Sequence, residues 1–231
     1  MVMSGPVFVL VPGAGGAASY WQLVRDRLTA RGVESVAVSL PGSDPDAGLP
    51  EYVDIVVEAA SAYDRVVLVA QSIGGFTASW AADRVRPEGL VLVNAMIPVP
   101  GETAGQWWEA TGATAAMAAN DVRQGRDPTR GLVDEVHFFH DVPPEVLALD
   151  PDDQVETDTV FAAPWGLEAW PDVPTRVVAG SDDRLFPLEF QRRVARQRLG
   201  LDVEVVPGGH LVALSRPDEL TDALLRGRGP A

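Results

Sequence analysis

Val66-Val-Leu-Val-Ala-Gln-Ser-Ile-Gly-Gly75 carries most of what the sequence says about the fold. Val66–Ala70 is an apolar, β-branched run. Gln71 to Gly75 is a sharp turn, and the stretch Gly74–Val85 that follows is patterned as a helix. The order strand, tight turn, helix puts Ser72 at the apex. The five-residue frame is Gly-x-Ser-x-Gly with Ala70 in the first place. An elbow of this kind holds its serine in strained backbone geometry, so the flanking residues must be small. Ala70 and Gly74 meet that demand, and Gly75 lets the helix start close to the strand. Ser72 would then stand at a helix N-terminus, where the dipole and free N–H groups favour developing negative charge. The Ile73 amide points the same way. An ordinary serine N-cap is the competing reading, since the chain has ten serines. The preceding strand and the double glycine favour the elbow.

Outward from this segment the same rhythm repeats. Val7–Val11, Ser35–Val38, Leu90–Val93 and Arg176–Ala179 are short, continuous, Val-rich runs, and Val203–Val206 is a more polar sixth. Continuous rather than alternating runs are how strands buried on both faces read. Amphipathic stretches separate them at Tyr20–Ala30, Pro50–Ala62, Pro187–Leu199 and Pro217–Leu225. In the first, Leu23, Val24 and Leu28, with the aliphatic stem of Arg27, give one stripe at helical spacing. The alternation predicts an α/β fold with about six strands, mostly parallel, flanked by helices. It breaks once. From Val99 to about Pro171 no strong strand appears, and this segment holds four of the six tryptophans and two of the three histidines. The expected organisation is a core of residues 1–98 and 172–231 with a helical cap inserted at 99–171. A second small domain with its own core is the alternative. The tail Arg226–Ala231 is expected to fray.

Val7–Val11 runs into Pro12-Gly-Ala-Gly-Gly-Ala-Ala18. Gly13, Gly15 and Ala18 fit a dinucleotide-binding turn. Such a site also wants a carboxylate at the end of the second strand to hold ribose hydroxyls. Here that strand ends Val38-Ser39-Leu40-Pro41, and Glu34 precedes it at the wrong edge. An oxyanion loop fits better, because glycines let backbone N–H groups approach a ligand closely.

A serine hydroxyl needs a base. Of His137, His140 and His210, only His210 lies in a Gly-rich loop just after the last strand, late in the chain. The strand Arg176–Ala179 ends in Gly180-Ser181-Asp182-Asp183, and either aspartate could orient an imidazole. The order Ser, Asp, His, each at the C-terminal end of a predicted parallel strand, matches the edge where open α/β sheets bind ligands.

Composition excludes other chemistries. Cysteine is absent, which removes disulfides, thiolate metal sites and cysteine nucleophiles. The formal charge is −15 and all 18 basic residues are arginine, with no basic run. Neither nucleic acid nor an anionic membrane is an expected partner. The first basic side chain is Arg25, so Val7–Val11 does not read as a signal peptide, and a cytoplasmic location is expected. His137 and His140 are spaced for a shared helix face with Asp141 nearby, but two histidines without a further well-placed ligand are weak evidence for metal, and none is expected.

The stretches Val9-Leu-Val-Pro-Gly-Ala-Gly-Gly16, Ala70-Gln-Ser-Ile-Gly-Gly75, Leu92-Val-Asn-Ala-Met-Ile-Pro98, Ala179-Gly-Ser-Asp-Asp-Arg-Leu-Phe-Pro187 and Gly208-Gly-His-Leu211 together resemble the α/β-hydrolase superfamily. The likeness is nearest to its short branch of plant methylesterases, hydroxynitrile lyases and bacterial esterase-like proteins, and it spans nearly the whole chain. His137-Phe-Phe-His-Asp-Val-Pro-Pro-Glu145 resembles part of that branch's cap. The resemblance implies Ser72 as nucleophile, His210 as general base, Asp183 rather than Asp182 as its partner, oxyanion amides at Ala14 and Ile73, and no cofactor. Two departures stand out. Pro12 replaces a histidine found before the oxyanion glycine in many relatives. Leu211 stands where hydroxynitrile lyases carry the lysine that helps handle cyanide, which disfavours that reaction.

The expectation is therefore a serine esterase, monomeric or homodimeric, acting on a small, largely apolar carboxylic ester or lactone. Trp107, Trp108, Met117, Phe138, Phe139, His140 and Trp165 are candidates for the substrate pocket, or for the cap's own core. A lyase or cyclase of a biosynthetic pathway, or a receptor-like binding protein, is the alternative from a different class.

Overall fold

The computed structural model describes residues 5–148 and 157–226 of the 231. The elements run β1 (Val7–Val11), α1 (Gln22–Ala30), β2 (Ser35–Ala37), α2 (Leu49–Ser61), β3 (Val66–Gln71), α3 (Gly74–Val85) and β4 (Gly89–Val93). Among the described residues five α-helices follow without a strand: α4 (Ala104–Thr111), α5 (Ala113–Arg123), α6 (Asp134–His137), α7 (Pro144–Leu147) and α8 (Asp158–Ala162). The chain then completes β5 (Thr175–Gly180), α9 (Leu188–Leu199), β6 (Val203–Val206), α10 (Val212–Ser215) and α11 (Pro217–Leu225). Beyond Arg226, the tail expected to fray lies outside the described residues.

The strands form one six-stranded sheet in the order β2-β1-β3-β4-β5-β6, and all five pairings are parallel. The reason for the continuous apolar runs is visible in the packing. Val9, Val11, Leu68, Ala70, Leu90, Leu92 and Val177 face one layer, with Tyr52 and Val56 of α2, Phe76 of α3 and Phe190 of α9. The alternate residues Phe8, Leu10, Val69, Val91, Val93 and Val178 face the other, with Val24 and Leu28 of α1 and Leu220 and Leu224 of α11. A strand sandwiched between two helix layers has no polar face to show.

The second strand stops at Ala37 rather than Val38, although the Val38 amide still donates to the Leu10 carbonyl at 3.1 Å. The predicted helix from Tyr20 opens as a 3-10 turn over Ala18–Trp21 before α1 begins.

Among its described residues the long excursion between β4 and β5 does not gather a separate core. Ala104, Trp107, Ala113, Met117, Val160 and Trp165 belong to the same apolar cluster as Leu68 and Leu90. Thr103 and Gln106 cap α4 reciprocally, each side chain bonded to the other's backbone at 3.0 Å. Arg198 of α9 then ties the start of the excursion down, donating to the Ile97 carbonyl at 2.6 Å and to Glu102 at 2.8 Å.

Candidate active site

Sheet register decides which residues meet. Val11 pairs with Ala70, Gln71 with Val93, and Gly180 with Val206, so β1, β3, β4, β5 and β6 end along one edge. The turns that follow those ends carry Gly13, Ser72, Asn94, Asp183 and His210.

Ser72 sits at φ 52°, in the left-handed region that a side chain adopts only at a cost. Its strain is held by neighbours with no room to relax. The Ser72 carbonyl accepts from Met96, and its amide donates to Val93. A Cβ on Gly13 would lie 2.3 Å from Gln71 Oε1 and 2.9 Å from Ser72 Cβ, and one on Gly74 would lie 2.4 Å from the Pro12 carbonyl. The loop after β1 therefore lies directly against the elbow. The N–H groups of Ala14 and Ile73 make no hydrogen bond to another protein group among the described residues.

Three side chains stand in a row. Ser72 Oγ lies 3.1 Å from His210 Nε2, and His210 Nδ1 lies 2.9 Å from Asp183 Oδ2. Only a protonated Nδ1 can bond to an ionised carboxylate, so Nε2 is left as the acceptor for the serine hydroxyl. Both His210 and Asp183 are buried, while Ser72 is half-buried. The two aspartates of the strand-end turn are separated by burial. Asp182 is exposed, its Oδ2 taken by the Ser181 hydroxyl at 2.7 Å. Asp183 turns inward. Its Oδ1 accepts from the amides of Leu185 (2.9 Å) and Phe186 (2.8 Å), and its Oδ2 accepts from Gln191 Nε2 (3.1 Å) as well as from His210.

Two supporting residues were not legible as such. Asn94, at φ 46°, accepts on Oδ1 from the Gly180 amide (2.8 Å) and donates through Nδ2 to the carbonyls of Gly209 (3.0 Å) and His210 (2.9 Å). It stitches the end of β4 to the turns carrying Asp183 and His210. Gln191, one turn into α9, also donates to the Phe186 carbonyl at 2.7 Å. The available signal for Asn94 was its position directly after an apolar strand, in a residue type that tolerates the left-handed region.

The aromatic candidates separate. Trp107 is fully buried, with its indole N–H on the Ile97 carbonyl at 3.1 Å and its ring against Phe186 and Phe190. Trp165 is buried too and stacks on Trp170. Both pack the interior instead of facing an open pocket, because their large surfaces fill the seam between the excursion and the sheet. Met117 is buried in the same seam. Trp108 is half-buried and 5.4 Å from Phe186, which sits edge-on to the His210 ring at 5.1 Å. Phe138 meets the same ring edge-on at 5.3 Å, and Phe139 is exposed.

The histidines of the excursion do not share a helix face. His137 ends α6, whereas His140 lies beyond it. His137 is buried, with Nε2 3.1 Å from Asp121 Oδ2 and Nδ1 2.9 Å from the Val133 backbone. His140 Nε2 donates to the Asp182 carbonyl at 3.1 Å. Burial, aided by the Arg184 cation, lowers the pKa of His140. Among the described residues no three His, Asp or Glu side chains are gathered as a metal site. No helix among them is long and apolar enough to cross a membrane.

This geometry agrees with sequence comparison. The model of the alpha/beta hydrolase family matches residues 8–223. The chain belongs to that family. It is 27% identical to the alpha/beta hydrolase nvfD of Aspergillus novofumigatus, across 99% of both chains. Among solved structures, a pyrethroid hydrolase from Sphingobium faniae JZ-2 superposes with a TM-score of 0.75 at 20% identity, covering 96% of each chain. Polyneuridine aldehyde esterase gives 0.74 at 19% identity, covering 96% of this chain and 98% of that one. The Arabidopsis methylesterase MES16 gives 0.73 at 19% identity with the same coverage.

Proposed function

We propose that this α/β hydrolase is a serine esterase in which Ser72 is the nucleophile, His210 the general base and Asp183 the residue that orients it. The observation that carries the reading is the unbroken row Asp183–His210–Ser72 at the sheet edge, with the serine held in a left-handed conformation. Structural relatives named as a pyrethroid hydrolase, an aldehyde esterase and a methylesterase support an ester as the substrate class.

In this mechanism His210 Nε2 takes the Ser72 proton as Oγ attacks the ester carbonyl. Asp183 stabilises the imidazolium that forms. The tetrahedral oxyanion is received by the Ala14 and Ile73 amides, each worth about 3 kcal/mol of barrier. The imidazolium then gives its proton to the leaving alkoxide. Water, deprotonated by the same nitrogen, hydrolyses the acyl-enzyme and restores Ser72. Residues 99–171 act as the cap, and Trp108, Phe138 and Phe186 offer an aromatic wall beside His210 suited to a small, largely apolar acyl or alkyl group.

The test is Ser72→Ala against short p-nitrophenyl esters. Turnover is expected to fall by at least ~1,000-fold, and fluorophosphonate labelling to vanish. Ester turnover at the wild-type rate in that variant overturns the mechanism. Labelling of Ser72 without multiple turnover would point instead to a receptor-like protein.

A further inference from the structure

His210 stands on a Gly208-Gly209 loop, and Asp183 on the turn Gly180–Arg184. Neither is a rigid element, yet their alignment is what the proposed chemistry needs. Asn94 holds the carbonyl side of the histidine loop from below. The amide side is held from above, by the excursion. Asp141 Oδ2 accepts from the Gly209 amide at 2.7 Å. The adjacent His140 donates to the Asp182 carbonyl at 3.1 Å, and Arg184 donates to the Val136 carbonyl at 3.4 Å. Phe138 seats its ring against His210 at 5.3 Å. Residues 136–141 therefore touch the residue before the histidine, the residues on either side of Asp183, and the imidazole itself.

We propose that Asp141 is a positioning residue, a latch through which the β4–β5 excursion sets the His210 loop in register with Asp183 and Ser72. Three observations carry this. First, Gly209 directly precedes His210, so a bond to its amide fixes the pivot of the imidazole. Second, the other oxygen of Asp141 is buried without a hydrogen-bond partner, and His140 Nδ1 is 3.9 Å away, so the Gly209 amide is the carboxylate's one hydrogen-bond partner among the described residues. Third, residue 209 is glycine for lack of space. Its φ is not in the left-handed region, yet a Cβ there would lie 2.5 Å from Asp141 Oδ1 and 2.8 Å from His140 Nε2. The latch and the missing side chain fit each other. Its consequence is that the alignment of His210 depends on residues 136–141 of the excursion as well as on the sheet edge.

The latch rests on the triad reading above, and the experiment separates the two. Asp141→Ala is expected to lower kcat on p-nitrophenyl esters by ~10- to 100-fold, the scale of a small misplacement of a catalytic group, with KM nearly unchanged. Fluorophosphonate labelling should slow in parallel. The downfield proton resonance of His210 Nδ1–H, which reports the bond to Asp183, should broaden or disappear. Asp141→Asn keeps an acceptor for the Gly209 amide and is expected to restore both kcat and the resonance. Gly209→Ala should reproduce the Asp141→Ala defect by steric displacement, and it carries the test alone if Asp141→Ala does not fold. Wild-type kcat, labelling and resonance in Asp141→Ala or in Gly209→Ala overturn the latch, as does an Asn variant as impaired as Ala. Ser72→Ala in the same assays marks the other failure: if it still turns over, the triad reading has fallen.

Discussion

Two regions of the molecule hold a buried imidazole on a buried carboxylate, and they do different things. At the sheet edge His210 pairs with Asp183. In the excursion His137 pairs with Asp121. The carboxylates are similarly supported: Asp183 by two amides and Gln191, Asp121 by Arg126 at 2.7 Å. Burial raises the Asp121 carboxyl, but the hydrogen bonds from Arg126 and His137 outweigh it and hold the group below its ordinary value. The difference lies on the far side of each ring. His210 turns Nε2 to a half-buried hydroxyl at an elbow. His137 turns Nδ1 to the backbone of Val133, the residue just before α6. A His–Asp pair becomes a candidate for catalysis through what the free nitrogen faces; otherwise it fastens a loop.

The sharpest way to break this contrast is to make the same change in both pairs. Asp183→Asn would hold His210 in the wrong tautomer, so kcat is expected to fall by ~10,000-fold, with the thermal midpoint little changed. Asp121→Asn removes the charge that faces Arg126 and His137 in a buried setting. It is expected to cost about 2 kcal/mol of stability and to leave turnover near the wild-type rate. Steady-state kinetics and denaturant melts on the two variants decide it. If Asp121→Asn loses turnover as deeply as Asp183→Asn without losing stability, the excursion pair belongs to the chemistry and the contrast is wrong.

A middle case sharpens where support ends and chemistry begins. Asn94 hydrogen-bonds to neither Ser72 nor the imidazole ring, but it bonds three backbone groups in two turns at the site. Asn94→Ala would strand a buried amide and two carbonyls. The expected loss is about 3 kcal/mol, read as a shift of the urea midpoint at constant slope, with a smaller loss of kcat than Asp183→Asn. An unshifted midpoint would show that water replaces the amide without penalty.

What was readable in advance follows from how local each signal is. The strands were legible because burial on both faces leaves continuous Val-rich runs, and the elbow because Ala70, Gly74 and Gly75 had to be small. Parallel order then put Ser72, the Asp182–Asp183 turn and His210 at one edge. The distinction between Asp182 and Asp183 was not in the spacing. The family resemblance implied it, and its physical basis is the inward turn of Asp183 against Gln191 of α9. Asn94 and Asp141 were silent because their partners are backbone groups, which every residue has. The tryptophans were ambiguous for a related reason: composition marks a large aromatic as valuable to bury, but not whether it is buried under a pocket wall or on it. Trp107 and Trp108 are adjacent, and helix phase alone puts one inside and the other half out.

The smallest expected effect concerns His140, whose Nε2 faces the turn before Asp183. Its folded-state pKa lies below the ordinary value because burial disfavours the cation and Arg184 repels it, while Asp141 and Asp183 favour charge less strongly. The unfolded chain therefore takes up this proton first. As pH falls from about 6.5 toward the folded-state pKa, the unfolded state gains protons that the native state declines, and stability drops. Below that pKa the loss is complete and constant; above about 6.5 it is absent. His140→Gln keeps an N–H donor for the Asp182 carbonyl and removes the titration. Urea midpoints of wild type and variant should run parallel above neutrality. As pH falls through this window the wild type should lose more than the variant. Curves that stay parallel across the window would mean that His140 accepts its proton as readily folded as unfolded, and that the contact with Asp182 is too loose to keep water from the ring.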